Sequence, residues 1–166
     1  MYQVGQYIIY GFEGVCRVEH IGPVDIKGAC QDMDYYTLTT VYQNGKLYVP
    51  VDSRAYSRPV ITREEALALI AEIPDIPFEI VENSNPRVLS EYYQTRIKSN
   101  DCRELLKVIR SIHEKGRGVA GKGRRLGQVD ERCLKQAEDK LNGELAVVLD
   151  MPIGEVKQYI TKALEG

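Results

Sequence analysis

The segment Gly116-Arg117-Gly118-Val119-Ala120-Gly121-Lys122-Gly123 has residue types that come near a known chemistry, the cradling of a phosphate. It satisfies G-x-G-x-x-G and falls one residue short of G-x-x-x-x-G-K-[ST]. In both motifs a strand delivers the glycine turn to a helix N-terminus, whose free N–H groups face the phosphate. Here the spacing of Leu105, Leu106, Val108, Ile109 and Ile112 predicts a helix in front of the glycines, not a strand. Position 123 is Gly where a hydroxyl would have to hold Mg²⁺, and no Asp follows at ribose spacing. A nucleotide-binding protein built on residues 116–123 stays open only as an alternative.

The same stretch reads better as an exposed basic loop. Arg117, Lys122, Arg124 and Arg125 are spaced by glycine, so the backbone can approach a polyanion closely. Lys115 precedes them. A helix N-terminus near residues 128–130 would add oriented N–H groups, and Arg132 and Lys135 would carry the positive surface further. Such contacts give affinity for a phosphate backbone without reading sequence.

The remaining chemistry-bearing residues form no set. Cys16, Cys30, Cys102 and Cys133 include no C-x-x-C pair, and His20 and His113 extend no ligand cluster. Four reduced, mostly buried thiols are expected. Asp32 and Asp34 are a loop pair with no partner to make them acid and base. With no nucleophile, general base or metal set to name, the chain is expected not to be an enzyme and to need no cofactor.

Charge is segregated along the chain. The whole carries a net charge of −2. Residues 61–95 hold two basic and seven acidic side chains, residues 96–125 hold ten and three, and residues 136–166 hold three and six. The middle segment is thus strongly positive between two negative ones, and a polyanion responds to charge within a Debye length of about 10 Å.

Length and composition bound the architecture. The 166 residues suit one ordinary domain or two small ones, and 43% hydrophobic content suffices for real cores. Tyr, with eleven copies, is the main aromatic, beside two Phe and no Trp. No apolar run approaches the roughly twenty residues of a membrane span. Met1-Tyr2-Gln3-Val4-Gly5 has neither a basic start nor a signal-like core, so a cytoplasmic location is expected.

The front of the chain reads as β and the rest as α. Strands are expected near residues 6–12, 14–21, 35–43 and 46–51, with glycine turns at Gly11 and Gly14 and a type I′ turn at Asn44-Gly45. Short, bent strands in so few residues make a small SH3-like barrel economical. Arg58-Pro59 closes this module, giving domains 1–58 and 59–166. Thr62-Arg63-Glu64-Glu65 is a capping box opening a helix that runs to Pro74. Asn85-Pro86 caps and opens a second, striped by Leu89, Tyr92, Tyr93 and Ile97. Ser99-Asn100-Asp101 starts a third, which the glycines from 116 onward should break. A fourth carries Val129, Cys133, Ala137, Leu141 and Leu145. Pro152 opens a last one with Val156, Tyr159, Ile160 and Leu164. The fold class is therefore α+β: a β barrel followed by an all-α bundle.

Several of these residues carry a family likeness. Val4-Gly5-x-Tyr7-Ile8-Ile9-Tyr10, Gly14-Val15-Cys16-x-Val18, Ile26-Lys27-Gly28, Tyr35-Tyr36-x-Leu38 and Leu47-Tyr48-Val49-Pro50-Val51 resemble the CarD family of bacterial transcription regulators. The same module is similar to the polymerase-interacting domain of the transcription-repair coupling factor. Asn142-Gly143-Glu144-Leu145-Ala146 resembles a signature of the family's helical half. The resemblance implies a Tudor-like barrel that binds the β subunit of RNA polymerase, with Val24, Lys27, Leu47, Tyr48 and Val49 at the contact. Val24 and Tyr48 stand where well-known members have arginines. It implies a helical domain that touches promoter DNA at the upstream edge of the melted region, through the basic residues above. Pro86 stands where relatives carry a Trp wedge. It also implies a monomer near the nucleoid that favours the open promoter complex. The alternative is an adaptor that uses the barrel alone.

Overall fold

The computed structural model describes residues 1–165 and divides into two compact units, Met1–Ile61 and Thr62–Gly166.

The front unit is a five-stranded antiparallel sheet in the order β4-β3-β2-β1-β5. Its strands are β1 (Tyr7–Tyr10), β2 (Gly14–Gly22), β3 (Tyr35–Thr40), β4 (Lys46–Pro50) and β5 (Ser57–Pro59). The β1–β2 hairpin closes through Gly11 and Gly14, at φ 46° and 75°. Side chains rarely adopt this backbone region, which is why glycine marks the reversal. The register between β2 and β3 shifts between Val18 and His20, an irregularity that bends the sheet. Ile8, Cys16, Val18, Tyr36, Leu38 and Val49 form the core on the concave face. Tyr2 packs on it from the N-terminal segment and links Tyr36 of β3 to Ser57 of β5. Its N–H donates to Tyr36 Oη at 3.1 Å, and its own hydroxyl donates to Ser57 Oγ at 2.8 Å.

Two expectations need correction here. The β3–β4 connection is not a two-residue type I′ turn. β3 ends at Thr40, Asn44 has positive φ at 54° and Gly45 does not. Thr40 closes a longer loop instead: its N–H donates to Gly45 O at 2.9 Å, and Gly45 N–H donates to Thr40 Oγ1 at 2.6 Å. The short strand β5 is also new. It pairs with β1 through Ile8–Pro59, Ile9–Arg58 and Tyr10–Ser57, so a boundary after residue 58 would cut a strand.

The second unit is helical. Helix α1 (Arg63–Glu72) starts at the expected capping box: Thr62 Oγ1 accepts from Glu65 N–H, and the Glu65 carboxylate accepts from Thr62 N–H. A 3₁₀ turn (Ile73–Asp75) follows, then an extended segment. Helix α2 (Pro86–Ile97) has Asn85 as its N-cap and Pro86 in its first turn. Helix α3 (Cys102–Ala120) begins at Asp101, whose carboxylate accepts from Arg103 and Glu104 N–H. Helices α4 (Gln128–Leu149) and α5 (Ile153–Glu165) complete the unit. The core lies along Leu105, Leu106, Ile109 and Ile112 of α3 and Cys133, Ala137, Leu141 and Leu145 of α4, all at most 2% exposed. Val156, Ile160 and Leu164 of α5 are buried, while Tyr159 of the expected stripe is exposed.

Gly116 and Gly118 do not break α3. The helix passes through both because its end is set further on. Gly123, at φ 71°, allows Arg124 N–H to donate to Val119 O at 2.8 Å and Gly123 N–H to Ala120 O at 3.0 Å. This is a Schellman ending, with glycine at the left-handed position. Gly116 has a packing reason: a Cβ there would stand 3.3 Å from Leu126 Cδ1.

Candidate functional site

The expected polymerase-contact residues fall in two places, the loop 23–34 and the strand β4. Val24 is half-buried, and Lys27 is exposed in a turn before Gly28. Asp34 O accepts from Val51 N–H at 3.1 Å, which ties the end of this loop to the end of β4. β4 is an edge of the sheet, so one row of its backbone groups faces away from β3. Strand alternation then sorts its side chains. Val49 is 7% exposed in the core, and Leu47 packs against the same cluster. The Val49 side chain is thus in the core, while Leu47 is partly buried on the same face. Tyr48 points outward and is 38% exposed.

The expected DNA-contact residues gather at one end of the helical unit, with one exception. Lys115 is inside. Its ammonium donates to Val81 O at 2.9 Å and lies 3.0 Å from Asp130 Oδ2, with side-chain exposures of 11% for Lys115 and 5% for Asp130. Asp130 also accepts from the Tyr93 hydroxyl at 2.7 Å. This carboxylate therefore joins α2, α3, α4 and the extended segment before α2. Burial and this hydrogen bond push the Tyr93 phenol well above its ordinary value.

The other cations are at the surface. Arg117 lies 3.5 Å from Glu114, and Lys135 lies 3.5 Å from Asp139. Exposed pairs of this kind hold a side chain only weakly. Lys122, Arg124 and Arg125 are exposed and have no carboxylate in ion-pair reach among the described residues. The backbone beneath them is fixed by the Schellman bonds, so the segment is an ordered basic turn. Arg132 reaches α2, its guanidinium 3.5 Å from Ser90 Oγ, one turn along from Pro86. Pro86 is exposed, beside exposed Arg87 and Val88. The start of α4 has no side-chain cap, and Asp130 and Glu131 place negative charge in its first turn, which opposes a phosphate there.

The glycine motif at 116–123 makes no cradle, because Gly116 and Gly118 lie within α3, where backbone N–H groups bond along the helix. Cys16, Cys102 and Cys133 are buried, Cys30 is exposed, and none of the four is in a disulfide among the described residues. Burial pushes the Cys16 thiol up to about 11. His113 is half-buried, and its Nε2 has no hydrogen-bond partner among the described residues. Among those residues no group of three His, Cys, Asp or Glu is placed to hold a metal, and no helix is long and apolar enough to cross a membrane. Sequence reasoning missed the buried Lys115–Asp130–Tyr93 link. The basic residue count recorded Lys115 as one more surface cation.

Fold and site together define an α+β protein whose exposed features are a sheet edge and a basic helical end. Residues 2–61, which make up the front unit, match the family model of the CarD-like/TRCF RID domain. That domain is of the RNA polymerase-interacting, transcription-related kind. The matched residues end at 61; the Gly143-Glu144-Leu145-Ala146 stretch lies outside them, with Glu144 and Leu145 each 1% exposed in the helical core. No curated protein matches the chain.

Proposed function

We propose that the protein is a transcription regulator without catalytic activity, which binds RNA polymerase through its front unit and promoter DNA through its helical unit. The carrying observation is the family match over residues 2–61, on a unit whose β4 edge is unpaired on one side. The front unit is read as a curled SH3/Tudor-like barrel, because β1, β2, β3 and β4 share one core that Tyr2 bridges to β5. Its contact with the β subunit is main-chain pairing along β4, with Tyr48 as the outward anchor.

The DNA half rests on Arg117, Lys122, Arg124, Arg125, Arg132 and Lys135, with Pro86 as an apolar wedge at the exposed start of α2. Tethering to polymerase raises the effective concentration of this modest surface at the upstream edge of the bubble. Contacts made only with melted promoter then favour the open complex. A second reading keeps the polymerase contact and drops the DNA one. It is favoured by a family match that leaves the helical unit uncovered.

The test uses the full chain. It should be retained on immobilised RNA polymerase and lengthen the life of promoter complexes challenged with heparin. Tyr48→Glu should abolish retention. Arg124→Glu with Arg125→Glu should keep retention and lose the lengthening; if the lengthening persists, the adaptor reading replaces this one. An intact chain that polymerase does not retain refutes both.

A further inference from the structure

One cleft of the helical unit is lined by none of the residues of the basic turn. It holds about 540 Å³ between α2, α3 and the extended segment before α2. That volume is ordinary for a small-ligand site. Phe78 and Tyr92 supply ring surface above the buried Tyr93, and Arg96 and the Glu104-paired Lys107 supply positive charge. Glu79, Glu104 and Ser111 also line it.

The cations of this region are not equivalent. Arg103, Lys107 and Arg110 are each paired with a carboxylate, of Glu72, Glu104 and Glu114 respectively. Arg96 has no carboxylate partner among the described residues. Its guanidinium lies 3.8 Å from the centre of the Tyr92 ring and donates to Tyr92 O at 3.2 Å. The guanidinium is therefore held over an aromatic face, a cation built into the cleft wall. Opposite in sequence, Phe78 is 42% exposed although Arg110 stands 5.2 Å over its ring.

We propose that this cleft binds a nucleotide, its base against the exposed ring surface and its phosphate at Arg96. A purely apolar ligand would leave the Arg96 charge uncompensated, and a bare anion would not use the rings of Phe78 and Tyr92. A ring that carries an anionic group uses both. The carboxylates of Glu79 and Glu104 accept hydrogen bonds only, so they favour bases with an exocyclic amine over thymine. The nucleotide comes free or as an unpaired residue of a strand. The cleft shares no residue with β4 or the basic turn, so the proposal stands or falls apart from polymerase binding.

Calorimetric titration of the full chain with dAMP, dTMP, inorganic phosphate and a single-stranded deoxyadenosine hexamer tests it. Saturable dAMP binding is expected, with dTMP and phosphate weaker. Arg96→Met should weaken dAMP about tenfold or more, the scale of losing one stacked base. Arg96→Lys, which keeps the charge without the plane, should fall between. Arg124→Glu should leave dAMP binding unchanged. A hexamer that binds more tightly per nucleotide than dAMP, with the same loss on Arg96→Met, identifies the strand as source; equal affinity identifies the free nucleotide. If neither dAMP nor the hexamer saturates the chain, or if Arg96→Met and Arg96→Lys both leave affinity unchanged, the proposal is overturned.

Discussion

The two units bury polar groups in opposite ways. Among the described residues, the buried polar side chains of the front unit are hydroxyls, Thr37 and Thr40, around an apolar core. Its ion pair, Arg17–Glu19, is at the surface. The helical unit buries Asp130 at 3% exposure and Glu144 at 1%, with Asn100 and Asn142 beside them. Glu144 accepts from the Cys102 thiol at 3.1 Å, and Asp130 holds Lys115 and Tyr93. A buried charge is costly unless paired, so such a unit depends on each pairing, whereas an apolar core depends on volume. The front sheet should therefore respond to methylene loss and the bundle to charge loss.

The sharpest way to break that contrast is to remove one partner of the buried pair. Asp130→Ala leaves the Lys115 ammonium with only Val81 O and no counter-ion, and the Tyr93 hydroxyl without its acceptor. It should destabilise the helical unit by about 3–5 kcal/mol. Hydrogen exchange of amides in α2, α3 and α4 reads the loss, and amides of the sheet serve as the control. Replacing both partners, Lys115→Met with Asp130→Leu, should recover much of it, since the cost is the unpaired charge. No recovery would mean that packing, not charge, governs this end of the bundle.

The matching change in the sheet is Leu38→Ala. Leu38 is 1% exposed and lies in the middle of β3. Its loss should cost about 2–5 kcal/mol, spread by how far the site collapses. Urea denaturation followed through the sheet amides would show it. A cost under 1 kcal/mol would deny the front unit a close-packed core.

Alkaline pH should weaken both units, the sheet through Cys16 and the bundle through Tyr93 and Cys133, acidic groups that burial raises, with Lys140 a partial offset. The Cys16 thiol is raised from 9.0 to about 11, so the unfolded chain ionises first. Its contribution to stability is complete below pH 9 and is lost as pH rises towards 11. Lys140 in α4 is lowered by burial, and a base shifted that way gains stability as pH rises through its folded value. Protection of the sheet amides should therefore decline from pH 9 upward, and Cys16→Ala should flatten the decline. An unchanged slope in Cys16→Ala would assign the decline to tyrosines.

What was legible beforehand was what is local in sequence. Thr62 with Glu65, Asn85 with Pro86, and Asp101 each satisfy helix N–H groups within three residues, so the starts of α1, α2 and α3 could be read directly. Helix ends were harder. Gly116 looks like a breaker, yet its bareness accommodates Leu126, and Gly123 does the stopping. β5 has three residues, too few to show alternation, and owes its existence to β1. At the site, the basic surface was legible as charge, but burial was not. Lys115 and Arg117 look alike in sequence, and only the fold of α4 against α3 brings Asp130 to one of them. Leu47 and Val49 lie within the motif that carries the family likeness because they build the core beneath Tyr48.

The smallest expected change in stability tests whether the surface cations of the bundle are free for a partner. Arg124→Glu with Arg125→Glu should move folding stability by no more than about 0.5 kcal/mol, because neither side chain is buried or paired. The same pair should matter for DNA. Each phosphate contact contributes about 0.9 to the slope of log affinity against log salt, so losing two should flatten that slope by about two. Tyr48→Glu on the sheet should leave the slope untouched. Equal slopes for wild type and the double variant would mean that these cations only solubilise the turn. A large loss of stability would mean that the bundle uses even its exposed charges to hold itself together.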